Sequence, residues 1–562
     1  VEQLKDSGII MKKIMMLLLS CCLLLSCNKS TTSISSSKYP IDTLEVASST
    51  PYGKYPETVY YTLANMTSSG NSNMPEGDTY SDNAYTRFLL DKLNIQNINV
   101  IEAKESEYNN TIQMLISSKE LPDIMIVESY EDLKYLVEND LIEDLTIAYE
   151  TCASSRIKEM YDSYGNSVLN NVTFDDKIYA MPGTNISDGP NLFWVRQDWL
   201  DSLGLEAPET LEDVENIVRQ FILQDPGHNG EGNTIGLMID PKLTGESGYS
   251  SEYLLDIVFA CYDAYPKQWI EKDGELIYGS IDQNVKEALL YIQKLYDEGI
   301  IDQDFILRSN TNIIDTIISG QCGSFFGPWW APNNPLIDAV KNDNQAVWKP
   351  YLIQTDDQGN TSYHTQNPSS KYVVVKKGFE HPEIVFKMIS VIFDYLRYDD
   401  TTASELNEYF RLNVDPTARP ISINVDYSDA LLQSYHNILK IVSAEMQMEE
   451  ATALDQSYAE ACIDYLANEQ ANKEENWAAY ATRVEATSLL ESSSIIEVES
   501  LFFGTTNTMS KVWWKLEDLE SETFLKIITR EEEIDYFDQF VKEWKRQGGD
   551  AITSEVAEIL GR

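Results

Sequence analysis

The sequence predicts an α/β protein built as two successive strand–helix series, and three observations carry that expectation. The chain has 562 residues, and at roughly 100–200 residues per domain this implies more than one domain with large cores. From Thr58 onward, short apolar runs alternate with stretches of helical periodicity. After Ala180-Met181-Pro182-Gly183 the alternation restarts. Strand–helix–strand units imply parallel pairing with helices on both faces of a sheet.

The first series opens with a strand at Thr58–Leu63. A Gly/Ser/Asn-rich loop from Thr67 to Ser81 follows, then a helix near Asn83–Leu93 and a strand at Ile98–Glu102. A second helix is expected over Tyr108–Ser118 and a buried strand at Asp123–Val127. The Thr67–Ser81 loop is long for this class, and long ordered loops are often functional. In the second series Leu192–Val195 is apolar, and Thr210 with Asp213 forms a capping-box start for a helix. Its apolar face holds Leu211, Val214, Ile217, Val218, Phe221 and Ile222. Val285 to Tyr296 gives a further helix closed by Gly299. Tyr372–Val375 is a short buried strand, and Pro382 opens a helix through Ile392. Beyond Asp399 the chain reads mostly helical, ending on a stripe of Ile534, Phe537, Val541 and Trp544.

Composition excludes several functions. Hydrophobic residues at 43% and charged residues at 24% are ordinary for globular proteins. Ninety-one acidic residues against 42 basic ones give a net charge of −49, which repels nucleic acid and anionic lipid over the whole approach. Met11 begins a secretory signal: Lys12 and Lys13 are its basic region, and Ile14–Leu25 is an apolar core. That core is too short to span a bilayer as a permanent helix. Leu24-Leu25-Ser26-Cys27 resembles the bacterial lipobox, in which the Cys becomes the lipidated first residue; two or more acyl chains give stable anchoring. Residues 1–26 are thus read as a signal peptide with its start at Met11, and residues 27–50 as lipidated Cys27 and a flexible, Ser/Thr-rich tether.

No GxSxG, HExxH, GxxxxGK[ST] or GxGxxG motif occurs. His228, His364, His381 and His436 lie far apart without metal spacing and read as surface or loop histidines. Cys152, Cys261, Cys322 and Cys462 show no framework spacing and read as buried small hydrophobes. A carboxylate pair could hydrolyse glycosides, but the sequence selects no pair. Asp225–Thr234 resembles a degraded calcium loop: Asp225, Asn229 and Gly230 match its first, fifth and sixth positions, Gly227 fills the third, and no acid closes it. Asp225, Asn229, Glu231 and Asn233 are the weak metal candidates, and the expectation is a turn without metal and no cofactor. The chain is rich in aromatics, with 33 Tyr and 10 Trp. Phe325-Phe326-Gly327-Pro328-Trp329-Trp330 follows an apolar run and ends in prolines. One of these Trp residues is expected in the core while the other offers a flat apolar face to a sugar ring; the alternative is that both are core.

Several segments together resemble the lipid-anchored extracellular solute-binding proteins of bacterial ABC importers, in the maltose-binding-protein-like group. They include LPDIMIVESYEDLKYLVENDLIEDLT (Leu121–Thr146), IYAMP (Ile178–Pro182) and FWVRQDWLDSLGL (Phe193–Leu205). They continue with YDAYPKQWIEKDGELIYGSI (Tyr262–Ile281), LYDEGIIDQDF (Leu295–Phe305), GPWW (Gly327–Trp330), FFGTTNTM (Phe502–Met509) and FDQFVKEWKRQGGDAITSEV (Phe537–Val556). The resemblance implies a two-lobed, type II periplasmic-binding-protein-like fold, a ligand cleft between the lobes and a helical C-terminal extension. The first lobe would be residues 51–188 plus 365–400 and the second 189–364 plus 401–562, with hinge crossings near Gly183–Pro190 and Thr361–Lys371. It implies a monomeric, surface-anchored receptor that binds an oligosaccharide by lobe closure and passes it to permease subunits, without catalysis. A peptide or other solute receptor, a surface glycan-degrading enzyme and an envelope structural protein are the alternatives. By the same resemblance, Trp329 is the stacking platform and Trp330 second. Glu128, Ser129 and Tyr130 lie at the mouth of the first lobe, Tyr130 replacing an Asp of the maltose-binding pattern. Further ligand contacts are expected from Asp78, Tyr80, Trp194, Arg196, Tyr249, Tyr262, Thr506 and Asn507, with a structural ion pair as the other reading of Arg196.

Overall fold

The computed structural model describes residues 43–562 except 166, 187–188, 246–251, 370, 401–402 and 468–472. The signal segment, Cys27, most of the tether and Tyr249 lie outside the described residues.

The first sheet is assembled from β1 (Val59–Thr67), β2 (Ile95–Lys104), β3 (Ile124–Val127) and β4 (Met181–Pro182). Helices α1 (Ala84–Leu93) and α2 (Glu105–Ser118) make the crossovers. Asn83 starts α1 because its side chain accepts from the Tyr85 and Thr86 amides while Thr86 returns a bond to the Asn83 backbone. β1 runs parallel to β2, with Val59 opposite Ile95 and Thr67 opposite Lys104, and parallel to β3 at Leu63–Ile124. The chain then enters a second unit through β5 (Leu192–Arg196), β6 (Ser324–Gly327) and β7 (Trp348–Tyr351). It returns through β8 (Tyr372–Val375), which completes the first sheet in the order β2-β1-β3-β8-β4.

Two differences from the sequence reading concern pairing. β8 is antiparallel to β3 and β4, and β5 is flanked by β6 and β7, both antiparallel to it. Parallel strands need a crossover between them, and these strands arrive from distant parts of the chain instead. The second sheet gains parallel bridges only at its margin, such as Met238–Phe325.

Alternation along β5 divides the second lobe's core. Phe193 and Val195 pack with Phe221, Phe326 and the last helices, whereas Leu192 and Trp194 pack with Phe325, Trp329 and Trp348. Helix α3 (Leu211–Gln224) carries the Thr210–Asp213 capping box as predicted. Gly299 ends the helix before it at φ 71°, a conformation Gly adopts without a Cβ penalty.

The expected lobe boundary at residue 400 falls early. Leu406, Tyr409, Ile421 and Val425 pack into the first core beside Leu396 and Tyr85. Helix α4 (Ser404–Arg411) therefore belongs to the first lobe. Helix α5 (Ala453–Ala467) packs on α4, while the helical run α6 (474–490), with a π turn at Ala481–Ala486, packs on 332–342 and β7 of the second lobe. These two adjoining helices thus bridge the lobes. The terminal helices Met509–Ile528, Tyr536–Trp544 and Asp550–Ile559 close the second core, where Trp544 stacks on Tyr278 with centroids 5.1 Å apart.

The connections between lobes run side by side. The Gly183 amide donates to the Lys371 carbonyl at 2.8 Å and the Asn185 amide to the Pro368 carbonyl at 2.9 Å. A third strand of chain joins them, since the Thr184 amide donates to the Asn424 carbonyl at 2.7 Å. No helix among the described residues is long and apolar enough to cross a membrane.

Candidate ligand cleft

The carboxyl ends of β1 and β2 open into a cavity of about 490 Å³ lined by Thr67, Tyr80, Glu102, Lys104, Glu107 and Thr111. Strand carboxyl ends in open α/β sheets are where ligands bind, and this volume is within the usual range for a ligand pocket. Tyr80 belongs to the long first loop, and its hydroxyl accepts from the Ser68 amide at 3.0 Å, holding the loop over the strand end. Asp78, on the same loop, is committed elsewhere. It pairs with Arg87 at 3.1 Å and accepts from the Tyr409 hydroxyl, which makes it a strut to α4.

Beside this cavity Lys371 reaches from the hinge to Glu105 at 3.3 Å and Glu128 at 3.2 Å. Burial opposes its charge, but the two carboxylates outweigh burial and raise its pKa. Glu128, which follows β3, is therefore paired. Ser129 caps the Tyr130–Glu138 helix by accepting from the Asp132 amide at 3.3 Å. Tyr130 stacks on Phe174, with centroids 5.9 Å apart.

The opposing wall is the segment after β6. Trp194 is completely buried, and its Nε1 donates to the Pro328 carbonyl at 3.0 Å, pinning the turn that carries Trp329 and Trp330. Its expected ligand contact is therefore corrected to a core role: Trp194 packs with Phe325, Trp329 and Trp348 on one face of β5, while Phe193 and Val195 pack on the other. Gly327 has no room for a Cβ, which would fall 2.7 Å from the Phe325 ring. Trp329 is only 6% exposed, and the Arg483 guanidinium lies 5.1 Å over its ring. The Trp329 face is thus covered by protein in this conformation, and Trp330 is the more accessible of the pair. The first loop reaches this wall, because a Cβ on Gly70 would sit 3.8 Å from Asn334 Oδ1. The loop after β1 and the segment after β6 therefore touch at this point.

The remaining expected contacts go elsewhere. Arg196 is buried, pairs with Asp198 at 2.6 Å and Asp343 at 3.1 Å, and packs over Trp199, so the structural ion pair is the observed role. Tyr262 packs against Tyr291 at the edge of the second core, and burial raises its pKa to about 12. Thr506 is buried and accepts from the Met509 amide at 3.2 Å; Asn507 is exposed. Their neighbour Thr508 is bonded to Glu555, so FFGTTNTM is laid on the last helix rather than turned to the Trp329 wall.

Sequence reasoning missed two features. Asn65, near the carboxyl end of β1, is 1% exposed, and neither atom of its amide has a hydrogen-bond partner among the described residues. At the hinge, His364 Nε2 lies 3.1 Å from Asp256 Oδ1, beside Tyr265 and Asn191, in a recess with about 20 Å³ of free volume, room for a water. His364 is buried rather than on the surface. A single His and a single Asp so far apart in the chain leave no motif. Cys152, Cys322 and Cys462 are buried, Cys261 partly so; burial raises the last three thiols named after Cys152 to about 12.

Residues 84–377 match the family described as bacterial extracellular solute-binding protein. Lipoprotein LipO of Bacillus subtilis is 25% identical over 249 residues, 43% of this chain and 46% of that protein. The polygalacturonan/rhamnogalacturonan-binding protein YtcQ of Bacillus subtilis is 27% identical over 190 residues, 34% of this chain and 35% of that protein. The chain thus spans less than half the length of the curated relatives it matches. The solved structure of the Streptococcus pneumoniae substrate-binding protein FusA in complex with kestose superposes with a TM-score of 0.59 at 15% identity, covering 89% of this chain and 99% of that one. This establishes the same two-lobed fold.

An EF-hand mutant of FusA is also among the structural neighbours, and the Asp225 loop has a calcium-loop outline. Asp225 accepts from the Asn229 amide at 2.9 Å, the Gly230 amide at 2.8 Å and the Thr234 hydroxyl at 2.6 Å, which uses both its oxygens. Asn229 donates to Thr234 and to the Gly320 carbonyl. No group of three metal-ligating side chains occurs among the described residues. Calcium takes 6–8 oxygens, and with Gly227 at the third position and no acid closing the loop, Asp225 is the one carboxylate at a matching ligand position, so the loop offers too few oxygens to fit it as it stands.

Proposed function

The chain belongs to the bacterial extracellular solute-binding proteins, and from that premise we propose that it captures an oligosaccharide between its lobes and delivers it to an ABC permease. Two observations support this reading: the loop after β1 and the Trp329–Asn334 segment, one from each lobe, touch at Gly70 and Asn334, and a cavity opens at the strand carboxyl ends of the first sheet. A ligand held there touches both lobes only when they are closed, so binding shifts the population toward closure by that difference in affinity. Trp330 supplies a flat apolar face, Tyr80 and the Glu102–Lys104 edge supply polar contacts, and Glu128 with Lys371 sets the local charge. YtcQ and FusA, by name, bind carbohydrates of different charge, and both classes are natural first ligands. The protein acts as a receptor without turnover, held at the membrane by lipidated Cys27.

A thermal-shift panel of residues 28–562 against neutral oligosaccharides, acidic oligosaccharides and peptides tests this. The expected result is a rise of several degrees, on the order expected at ~100-fold Kd, for one glycan family, reduced in Trp330→Ala and without product formation. Stabilisation by peptides alone would replace the ligand class, and glycan cleavage would replace the receptor reading.

A further inference from the structure

The second crossing between the lobes carries a histidine whose surroundings set its charge. His364 ends the strand Thr361–His364, which runs beside Ile495–Val498, and its ring is buried. Its Nε2 lies 3.1 Å from Asp256 Oδ1, and its Nδ1 lies 3.3 Å from the Thr365 carbonyl oxygen. An ionised carboxylate and a carbonyl only accept, so both contacts are hydrogen bonds when the imidazole carries both its protons. Asp256 opens the helix Asp256–Ala260 and is itself held, since it accepts from the Gly245 amide at 3.1 Å. The recess beside the pair is bordered by both crossings, Gly189–Asn191 of the first and His364 and Gln366 of the second, against Ile257 and Tyr265 of the second lobe. The pair therefore sits where the hinge enters the second lobe.

The ionisable groups on the elements packed around it leave Asp256 as its counter-charge. Glu497 and Glu499 flank Val498, the residue opposite His364, so alternation turns them to the other face of the strand pair. Burial pushes the Tyr265 hydroxyl and the Cys261 thiol up to about 12, so both are neutral. Lys267 donates to the Thr244 carbonyl at 3.1 Å and brings positive charge to the loop that holds Asp256. Among the described residues, Asp256 is the carboxylate that pairs with the His364 ring.

We infer that protonated His364 and Asp256 form a pH-sensitive catch that holds the second hinge crossing to the second lobe, fastened in mildly acid surroundings and released as the imidazole loses its proton. After that loss one ring nitrogen is an acceptor facing an oxygen acceptor, and the charge-assisted bond is gone. The stabilisation is therefore present at low pH and falls as pH rises through the imidazole's titration. The receptor reading enters only through the consequence: a looser crossing changes the free energy of lobe closure, and with it ligand affinity.

Hydrogen exchange of residues 28–562 without ligand tests the catch, followed by mass spectrometry in steps from about pH 5.5 to about pH 9, which brackets the ordinary imidazole range. Rates are corrected for the intrinsic pH dependence of amide exchange. Peptides covering Thr361–Gln366 should lose roughly ten- to a hundred-fold of their protection as pH rises, the size of a hydrogen bond to a charged group, while peptides of β3 keep theirs. His364→Gln, which retains a donor and an acceptor without a titrating proton, should make protection of the crossing independent of pH, and Asp256→Asn should do the same. A single cooperative melt for each variant establishes folding, and the native series decides even where a variant does not fold. Protection of the crossing that is independent of pH in the native protein overturns the catch, and so does a pH dependence that survives either substitution. Both results leave the receptor reading standing; that reading fails instead if no oligosaccharide of the thermal-shift panel binds.

Discussion

Lys387 shows how a single buried charge can tune the first lobe. Its ammonium is fully buried, donates to the Thr50 carbonyl at 2.6 Å and lies 5.4 Å from the Tyr55 ring. Burial lowers its pKa to about 8, with the Cys152 and Glu383 charges only partly opposing that. Its folded pKa is below the unfolded value near 10.4, so the unfolded chain binds more protons between those limits. Stability contributed at this site therefore rises with pH through that window and is constant below pH 8. The stability difference between the native protein and Lys387→Met should move in favour of the native protein by roughly 3 kcal/mol between pH 8 and 10.5. Urea unfolding at stepped pH measures it, and a difference independent of pH would show that the ammonium is not desolvated. Other residue roles were less legible in the sequence. Arg196 and Trp194 lie in a segment that resembles a binding motif, yet both serve packing, because whether a side chain on β5 meets solvent depends on β6 and β7, which arrive more than a hundred residues later.

Local elements follow closely from local sequence. The Thr210–Asp213 box, Gly299 and the apolar runs at β3, β5 and β8 all act where their residue types predict, since capping and alternation are settled within a few residues. Strand direction in the second sheet and the placement of α4 with the first lobe were not legible, because both are decided by long-range pairing. Helix α5 has no clean apolar stripe; it buries Asp455, which accepts from Ser434 at 2.5 Å and Asn437 at 3.0 Å. The Asp225 loop is the element whose chemistry departs most from its calcium-loop outline. Its melting temperature contribution should be indifferent to calcium: adding millimolar calcium or a chelator should leave the unfolding transition in place, and Asp225→Asn should lower stability by about 1 kcal/mol through weakened bonds to the Gly230 and Asn229 amides. A calcium-dependent rise abolished by Asp225→Asn would assign the loop a metal after all.

At the scale of the whole molecule, two α/β lobes share three connecting strands of chain and a pair of bridging helices. The connections are hydrogen-bonded to one another at Gly183, Thr184 and Asn185, so a displacement of one is passed to the others. The family resemblance read from the motifs anticipated the two-lobed fold. Asn65, Asp256–His364 and Arg483 were invisible because each gains its meaning from burial and from neighbours remote in sequence. Closure is the central claim. Moving such a hinge from mostly open to mostly closed requires a ligand preference of several kcal/mol for the closed state, which a cleft contacted from both lobes can supply. Small-angle X-ray scattering of residues 28–562, with and without a saturating oligosaccharide from the binding panel, measures it most directly. Closure on binding is expected to appear as a larger radius of gyration without ligand and a fall when ligand is added. A ligand that binds and stabilises the protein while leaving the scattering profile unchanged would contradict it.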